Sequence, residues 1–133
     1  MKIFISYKFA EENQDELKEF MENIKSALEK SSHKVLTTFF NAGEFQRTGA
    51  SMRKIMDTAL GYIDNSELVL CIIKSPDKSE GMILEIGYAI AKKKKIILAV
   101  KEGLETRWIK EYASEIIKFK DMKELYGKLK KIK

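Results

Sequence analysis

Two short segments made only of apolar residues limit the fold more than any other feature of this chain. They are Leu68–Ile73 (LVLCII) and Ile96–Val100 (IILAV). A strand with one face on water alternates apolar and polar residues, so uninterrupted apolar strands are typical of a parallel sheet covered by helices on both faces. Neither segment approaches the length of a membrane-spanning helix. The segments therefore indicate an α/β fold.

Strands and helices are predicted to alternate along the whole chain. The other strands are predicted at Lys2–Tyr7, Lys34–Thr38 and Ile116–Phe119. The predicted helices are Glu11–Lys30, Met52–Ile63, Glu80 to about Lys92, Thr106–Tyr112 and Met122–Lys131, and Phe39–Gly49 is predicted to be a loop. This order predicts three layers: an open, doubly wound, parallel five-stranded sheet between helices, flavodoxin-like or Rossmann-like, in strand order 2-1-3-4-5. Residues 1–133 are predicted to form one domain.

Composition narrows the function classes. The net charge is +5, and the positive charge is concentrated in Lys92–Lys95, where a helix is predicted to end, and in Lys118–Lys133, where lysines alternate with acidic and apolar residues as on a solvated helix face. Such a pattern indicates attraction for small anionic ligands rather than for nucleic acid. With one cysteine, Cys71 in an apolar run, and one histidine, we expect neither a metal site nor a cofactor. The opening residues lack the pattern of a signal peptide, so we expect a cytoplasmic protein that does not bind membranes.

Ligands of such sheets bind beyond the carboxyl ends of the strands, near the point where the strand order reverses. Three segments are predicted to meet there: Ser6–Ala10, Phe39–Gly49 and Lys74–Gly81. The helix that follows the last of these contains an unusual carboxylate. Glu85 is the only charged residue among the eleven between Glu80 and Lys92.

A carboxylate bordered by apolar and small residues is costly unless a polar group meets it. We therefore predict that Glu85 is functional, the alternative being an ion pair with a lysine on a half-exposed face. We predict a buried stripe of Ile83, Ile86 and Ile90 on the same helix. The Glu85 side is predicted to border this stripe.

The start of this helix suits an anionic ligand. Ser79 is placed to cap it, and the first-turn amides can bind an anion. Gly81 leaves room for a ligand to approach the backbone. The alternatives are simple capping for Ser79 and close packing for Gly81. Close packing against the sheet is the favoured interpretation of Gly87.

The pattern Ser79-x-Gly81-x-x-x-Glu85-x-Gly87-x-Ala89, after an apolar strand, resembles the nucleoside 2-deoxyribosyltransferase superfamily, most of all its 2′-deoxynucleoside 5′-monophosphate N-hydrolases. The resemblance implies cleavage of an N-glycosidic bond. Glu85 would attack the anomeric carbon of a 2-deoxyribosyl group, and water or a second base would resolve the intermediate.

The same resemblance implies which residues would contact the 5′-phosphate. Ser79 matches the residue that contacts the 5′-phosphate in the hydrolases. Thr106 aligns with a serine that reaches the same phosphate across a dimer, which implies a homodimer. Trp108 and Tyr112, one helical turn apart, suit a dimer contact, or alternatively the core.

The chain departs from the family pattern at two places. The family aspartate on the second helix falls at Ala59, so Asp57 is the candidate that would replace it. The glycine-bearing loop after the first strand is replaced by Ser6-Tyr7-Lys8-Phe9. Tyr7 is a candidate catalytic contact to the sugar or to Glu85, or a structural aromatic. Ser6, Lys8 and Phe9 are candidate substrate contacts, with a solvated lysine as the alternative for Lys8.

Three aromatic residues follow in one segment. Phe39, Phe40 and Phe45 are candidates for stacking on a base, and Phe40 is included among the predicted substrate contacts. The alternative is packing over the edge of the sheet.

Two rival functions stay open at this point. The opening FISY and the serine six residues before Glu85 also resemble TIR domains, which implies cleavage of NAD, although Gly81-Met82 stands where those domains have Trp-Cys. The other rival is a nucleotide-binding or sensing module without catalysis, which the missing family aspartate would fit. Conversion of NAD or of deoxynucleotides, or binding without conversion, would separate the three.

Overall fold

Five strands form one parallel sheet in the order β2-β1-β3-β4-β5. This is a computed structural model, and it describes residues 1–9 and 13–133. The strands are β1 (Lys2–Ser6), β2 (Lys34–Leu36), β3 (Leu68–Ile73), β4 (Lys95–Lys101) and β5 (Glu115–Phe119). The predicted fold class and strand order are confirmed.

Helices cover both faces of the sheet. They are α1 (Gln14–Glu29), α2 (Ala42–Thr48), α3 (Met52–Asp64), α4 (Glu80–Ala91), α5 (Ile109–Tyr112) and α6 (Met122–Leu129), with a 3₁₀ turn at Thr38–Asn41 before α2. Helices α1 and α6 pack on one face, and α3, α4 and α5 pack on the other. Within the described ranges, no helix combines the length and the apolar character needed to cross a membrane.

Strand β3 shows why its sequence is apolar throughout. Leu68, Leu70 and Ile72 join the core under α1 and α6. The alternate residues, Val69, Cys71 and Ile73, join the core under α3 and α4. Each large side chain buried in this way contributes about 1.5–3 kcal/mol to stability. A polar residue on either face would remove such a contribution, which explains the unbroken pattern.

Helix α1 follows its sequence pattern closely. Apolar residues recur at three- and four-residue steps along it and all five are buried: Leu17, Phe20, Met21, Ile24 and Leu28. The side chain of Asn13 caps this helix by accepting from the backbone amide of Glu16. The predicted start at Glu11 lies outside the described residues.

The segment predicted as a loop at Phe39–Gly49 is largely helical, so that prediction was wrong. The side chain of Thr37 caps the 3₁₀ turn, and Gly49 ends α2 with a left-handed φ of 62°. Glycine is favoured at such a helix end because it has no Cβ. Phe39 anchors the segment by packing against Phe9, with 5.6 Å between ring centroids.

The predicted buried stripe of α4 was also wrong in part. Ile83 is 54% exposed, and the buried residues are Met82, Glu85, Ile86 and Ala89. The helix is thus rotated so that Glu85 lies on the core side. Gly87 is exposed and a Cβ there would meet nothing within 4 Å, so it does not serve close packing.

Smaller differences lie at element ends. Strand β2 stops at Leu36, α5 begins at Ile109 rather than Thr106, and α6 ends at Leu129. Element ends are set by individual caps and turns, which hydrophobic periodicity does not report.

Candidate active site

A buried hydrogen bond joins the end of β1 to α4. Ser6 is the last residue of β1, and its hydroxyl donates to Oε1 of Glu85 over 2.8 Å. Ser6 is fully buried, and Glu85 is only 9% exposed. The alternative of a half-exposed ion pair for Glu85 therefore does not describe this side chain.

The surroundings of Glu85 disfavour its charge. Burial raises the pKa of Glu85 to about 7, and the Ser6 hydrogen bond opposes that rise because it stabilises the charged form. A carboxyl group with such a pKa is present near neutral pH in both protonation states. Strongly shifted groups of this kind are concentrated at functional sites.

Cys71 lies beside this pair. It is the register partner of Ser6 on β3, so both side chains face α4. Burial, and secondarily the charge of Glu85, raise the pKa of the Cys71 thiol to about 12. The thiol is therefore protonated near neutral pH, and Cys71 is a core residue.

The start of α4 is capped as the sequence indicated. Oγ of Ser79 accepts from the backbone amide of Met82 over 3.1 Å. A Cβ at Gly81 would lie 3.5 Å from Cε of Met56, which is an ordinary packing distance. Both residues lie on the first turn of the helix that carries Glu85.

Tyr7 lies on the other face of the sheet from Ser6, because side chains alternate along a strand. Its ring packs against Phe9 and Phe20, with centroid distances of 5.6 and 5.1 Å, in the core under α1. Lys74, which directly follows β3, lies over the rings of Phe20 and Tyr7. The ring of Tyr7 thus packs on the α1 side of the sheet, as its structural alternative requires, and its catalytic role stays a prediction.

An apolar cavity of about 420 Å³ opens beside this edge, between α1, α2 and α3. Aromatic rings, amide side chains and an aliphatic side chain line it, including Phe9, Phe39, Phe45, Gln14, Gln46 and Ile55. Glu85 is not among its described lining residues. Phe9 lies three residues beyond Ser6 in the chain, and Ile55 is the chain neighbour of Met56, whose Cε is near Gly81.

Gln14 and Gln46 are site residues that the sequence did not single out. Gln46 was hidden because its segment was taken for a loop. Thr37 and Gly49 are the signals that would have shown a capped helical segment there.

Phe40 lies away from this cavity. It is 45% exposed, and the ammonium group of Lys25 on α1 lies over its ring, with 5.2 Å between Nζ and the ring centroid. Its neighbour Phe39 occupies the cavity instead, because successive side chains of the 3₁₀ turn point in different directions.

Asp57 is not brought to Glu85. It lies on the exposed side of α3, where Oδ2 is 3.6 Å from Nε of Arg53. Ala59 stands on the buried side, as the helical period requires for two residues about 200° apart. Helix α3 is continuous over Met52–Asp64, so Asp57 and Ala59 keep these different faces, and the suggestion that Asp57 replaces the family aspartate stays a prediction that this geometry does not favour.

The remaining candidates lie in connecting segments. Lys8 is half-buried next to Phe9. Thr106 is buried, and its carbonyl accepts from the amide of Ile109 at the start of α5. Trp108 is 79% exposed and Tyr112 is also exposed. Within the part of the chain that the structure describes, no group of three or more His, Cys, Asp or Glu side chains is placed to hold a metal ion.

Fold and site together define a doubly wound α/β protein with a buried carboxylate at the carboxyl edge of its sheet. Residues 7–120 match the nucleoside 2-deoxyribosyltransferase family. The chain belongs to this family, as the motif around Glu85 suggested. Among curated proteins, none matches the chain significantly.

Solved structures share the fold over nearly the whole chain. The CMP N-glycosidase BcmB of Clostridium botulinum is 24% identical, with a TM-score of 0.71, covering 97% of this chain and 98% of its own. A 2-deoxyribosyltransferase of Bacillus psychrosaccharolyticus is 18% identical, with a TM-score of 0.74, covering 100% and 93%. A conserved protein of Enterococcus faecalis is 12% identical, with a TM-score of 0.63, covering 98% and 97%.

Proposed function

We propose that this protein cleaves the N-glycosidic bond of a 2′-deoxynucleoside 5′-monophosphate, with Glu85 as the nucleophile. The observation that carries the proposal is the buried Glu85 carboxyl, held by Ser6 at the ligand-binding edge of the sheet. Membership of the nucleoside 2-deoxyribosyltransferase family supports the reaction type.

The proposed reaction has two steps. An ionised Glu85 oxygen attacks C1′ of the sugar, and the C1′–N bond breaks with its electron pair going to the base. The base takes up a proton as it leaves. Water then attacks C1′ of the glycosyl ester, which returns the carboxylate and releases the sugar phosphate. If a second base takes the place of water, the outcome is transfer instead of hydrolysis.

The environment of Glu85 suits such a reaction. The transition state carries positive charge on the sugar, and an anionic carboxylate in a low-dielectric setting stabilises that charge strongly. Burial also keeps the carboxylate poorly solvated before it reacts. The arrival of a cationic sugar therefore offsets the cost of the buried negative charge.

The apolar cavity is the proposed site of the base. Its volume of about 420 Å³ exceeds that of a single heterocycle, and Phe9, Phe39 and Phe45 offer ring faces for stacking. The amides of Gln14 and Gln46 both donate and accept, so they can pair with the polar edge of a base.

The start of α4 is the proposed site of the phosphate. Oγ of Ser79 accepts from Met82, which leaves the hydroxyl proton available to a phosphate oxygen. The helix dipole and the first-turn amides favour an anion there. Lys8, which follows β1 in the chain, is the proposed source of a positive charge for this phosphate.

A homodimer is part of the proposal. The exposed indole of Trp108 and ring of Tyr112 support it, because large exposed aromatic side chains are enriched at interfaces. Thr106 precedes these residues and would reach the phosphate of the partner's substrate. Light scattering should give twice the 15.4 kDa chain mass, and a monomeric mass would contradict this part of the proposal.

The test is chromatography of a mixture of the four 2′-deoxynucleoside monophosphates, CMP and NAD after incubation with the protein. Free base should appear with wild type and with Glu115→Gln, and not with Glu85→Gln. Glu115 is an exposed glutamate at the amino end of β5, so it matches the substitution but lies far from the site. Equal base release by Glu85→Gln would remove Glu85 from its role.

The panel also separates the rivals. Consumption of CMP alone would mean that the enzyme prefers a ribosyl over a 2-deoxyribosyl substrate. The name of the Clostridium botulinum relative suggests such a substrate for that protein. Consumption of NAD would favour the TIR-like alternative. Binding of a nucleotide without conversion would favour a sensing module.

A further inference from the structure

The bond between Ser6 and Glu85 gives Ser6 a role other than substrate contact. Ser6 is fully buried, and its one hydroxyl proton is used on Oε1 of Glu85. The preceding β1 residues Ile3, Phe4 and Ile5 are apolar core residues, so a buried hydroxyl here is an exception within the strand. Alanine would fit the same space, so what serine adds at this position is the hydroxyl group and its hydrogen bond to Glu85.

We propose that Ser6 is a positioning residue for the nucleophile: its hydroxyl holds Oε1, so that Oε2 is the attacking oxygen, and it favours the ionised carboxylate. This inference rests on the proposed function. A hydrogen bond to the charged form of an acid stabilises that form. It also fixes the rotation of the carboxyl group, and such alignment of the attacking atom lowers the barrier.

Among the residues that the structure describes, the other groups around Glu85 do not take over this role. Cys71 faces it from β3, and its thiol stays protonated because burial raises its pKa to about 12. Ala59 and Ile63 are the buried residues that α3 contributes to this core, and neither titrates. Lys74 and Tyr7 pack together on the other face of the sheet. The described partner that tunes Glu85 is therefore the Ser6 hydroxyl.

The experiment compares Ser6→Ala with Ser66→Ala across pH. Ser66 is the matched control, because it is also a buried serine, and its hydroxyl donates to the carbonyl of Tyr62 at the opposite edge of the sheet. For Ser6→Ala we expect kcat to fall about ten- to a hundredfold while KM changes little. The acidic limb of kcat/KM should move to higher pH by about one pH unit.

Ser66→Ala should keep the wild-type pH profile even if it lowers thermal stability. Ser6→Thr keeps a hydroxyl group and should restore part of kcat and of the profile. If Ser6→Ala behaves like Ser66→Ala in both kcat and pH profile, the inference is overturned.

A second measurement needs no turnover. The ¹³C resonance of the Glu85 carboxyl group, assigned by its absence from Glu85→Gln, should titrate at higher pH in Ser6→Ala than in wild type. An unchanged titration would overturn the proposed stabilisation of the carboxylate. If wild type converts no nucleotide, the proposed function fails, and this titration still decides whether Ser6 holds the ionised form.

Discussion

The two edges of the sheet differ in how their polar side chains are paired. At the amino edge, the N-terminal ammonium group lies 3.1 Å from Nδ1 of His33, and Nε2 of His33 lies 2.7 Å from the carbonyl oxygen of Ile132. Since that carbonyl only accepts, Nε2 carries the proton and Nδ1 accepts from the ammonium group. At the carboxyl edge, Glu85 has the Ser6 hydroxyl as its described partner, and its pKa is raised to about 7.

We interpret this difference as a division of roles, in which the amino edge stabilises the fold and the carboxyl edge carries the proposed reactive acid. Matched donors and acceptors at the amino edge tie the N-terminus, the α1–β2 turn and the C-terminus together, which stabilises the fold. The carboxyl edge instead keeps an acid where its charge is disfavoured, which costs stability at neutral pH. We expect substitutions at the two edges to have opposite signatures, and the following predictions test this in decreasing order of effect.

The largest effect is expected for Glu85→Gln, which should lower turnover at least about a thousandfold while the protein stays folded. It should also raise the free energy of unfolding at pH 8 by about 2 kcal/mol, because the amide does not ionise. Glu85 favours its protonated form in the folded state. Its contribution to stability is therefore present below pH 4.5 and is lost as the pH rises through about 7.

The check is thermal or urea unfolding at pH 4.5 and pH 8, with Glu115→Gln as the control. The gain should be small at pH 4.5, where the wild-type carboxyl is also neutral. An equal gain at both pH values would show that the charge of Glu85 is not the cause.

His33→Ala is expected to give the opposite signature. The loss of two hydrogen bonds, one buried and one partly buried, should lower the free energy of unfolding by about 2 kcal/mol, measured by urea unfolding at pH 7. Below the unfolding transition, kcat and KM should match wild type. A large loss of activity in the folded variant would contradict the interpretation that the amino edge serves stability and not catalysis.

Gln46→Ala should act on substrate binding alone. Gln46 is exposed in the cavity wall, so its loss should remove about 1 kcal/mol of base recognition and raise KM about fivefold. Steady-state kinetics with the preferred nucleotide test this. Arg47→Ala, a neighbouring exposed residue outside the cavity lining, is the control, and equal KM values for the two variants would argue against the cavity as the base site.

Asp57→Asn should change least. An exposed aspartate paired with Arg53 on one helix contributes about 0.5 kcal/mol or less to stability. We expect kcat within about twofold of wild type in the same kinetic assay. A loss of a hundredfold or more would mean that Asp57 reaches the substrate after all.

Much of the fold could be predicted because its signals are local and strong. The unbroken apolar strands β3 and β4 indicate a sheet that is covered on both faces, and the periodic inner face of α1 is equally clear. Ser79 was predictable as a cap, and Glu85 as an unusual carboxylate, because each stands out against its own neighbours. Features of this kind can be recognised from the sequence without any knowledge of tertiary contacts.

The remaining features depend on contacts between distant segments. Helix α4 is apolar nearly all round, so the sequence did not show whether Ile83 or Glu85 faces the core. Asn41 and Gly43 resemble a loop, and the packing of Phe39 on Phe9 outweighs their low helical propensity. The bond from Ser6 to Glu85 joins residues 79 positions apart, and only the register of β1 against β3 shows that they meet.

Because Ser6 and Glu85 are far apart in the sequence, their hydrogen bond forms only when helix α4 is packed on the sheet. The strands β1, β2 and β3 all precede Glu85 in the chain, and its carboxyl group meets Ser6 only once α4 docks on them. When α4 undocks in a local opening, Glu85 returns to water and its pKa falls back toward 4.5. Ionisation therefore favours the undocked helix, and backbone amides of α4 should exchange with solvent through more frequent openings at pH 8 than at pH 5. The acid proposed to attack the substrate thus also makes its own helix the pH-sensitive part of the fold.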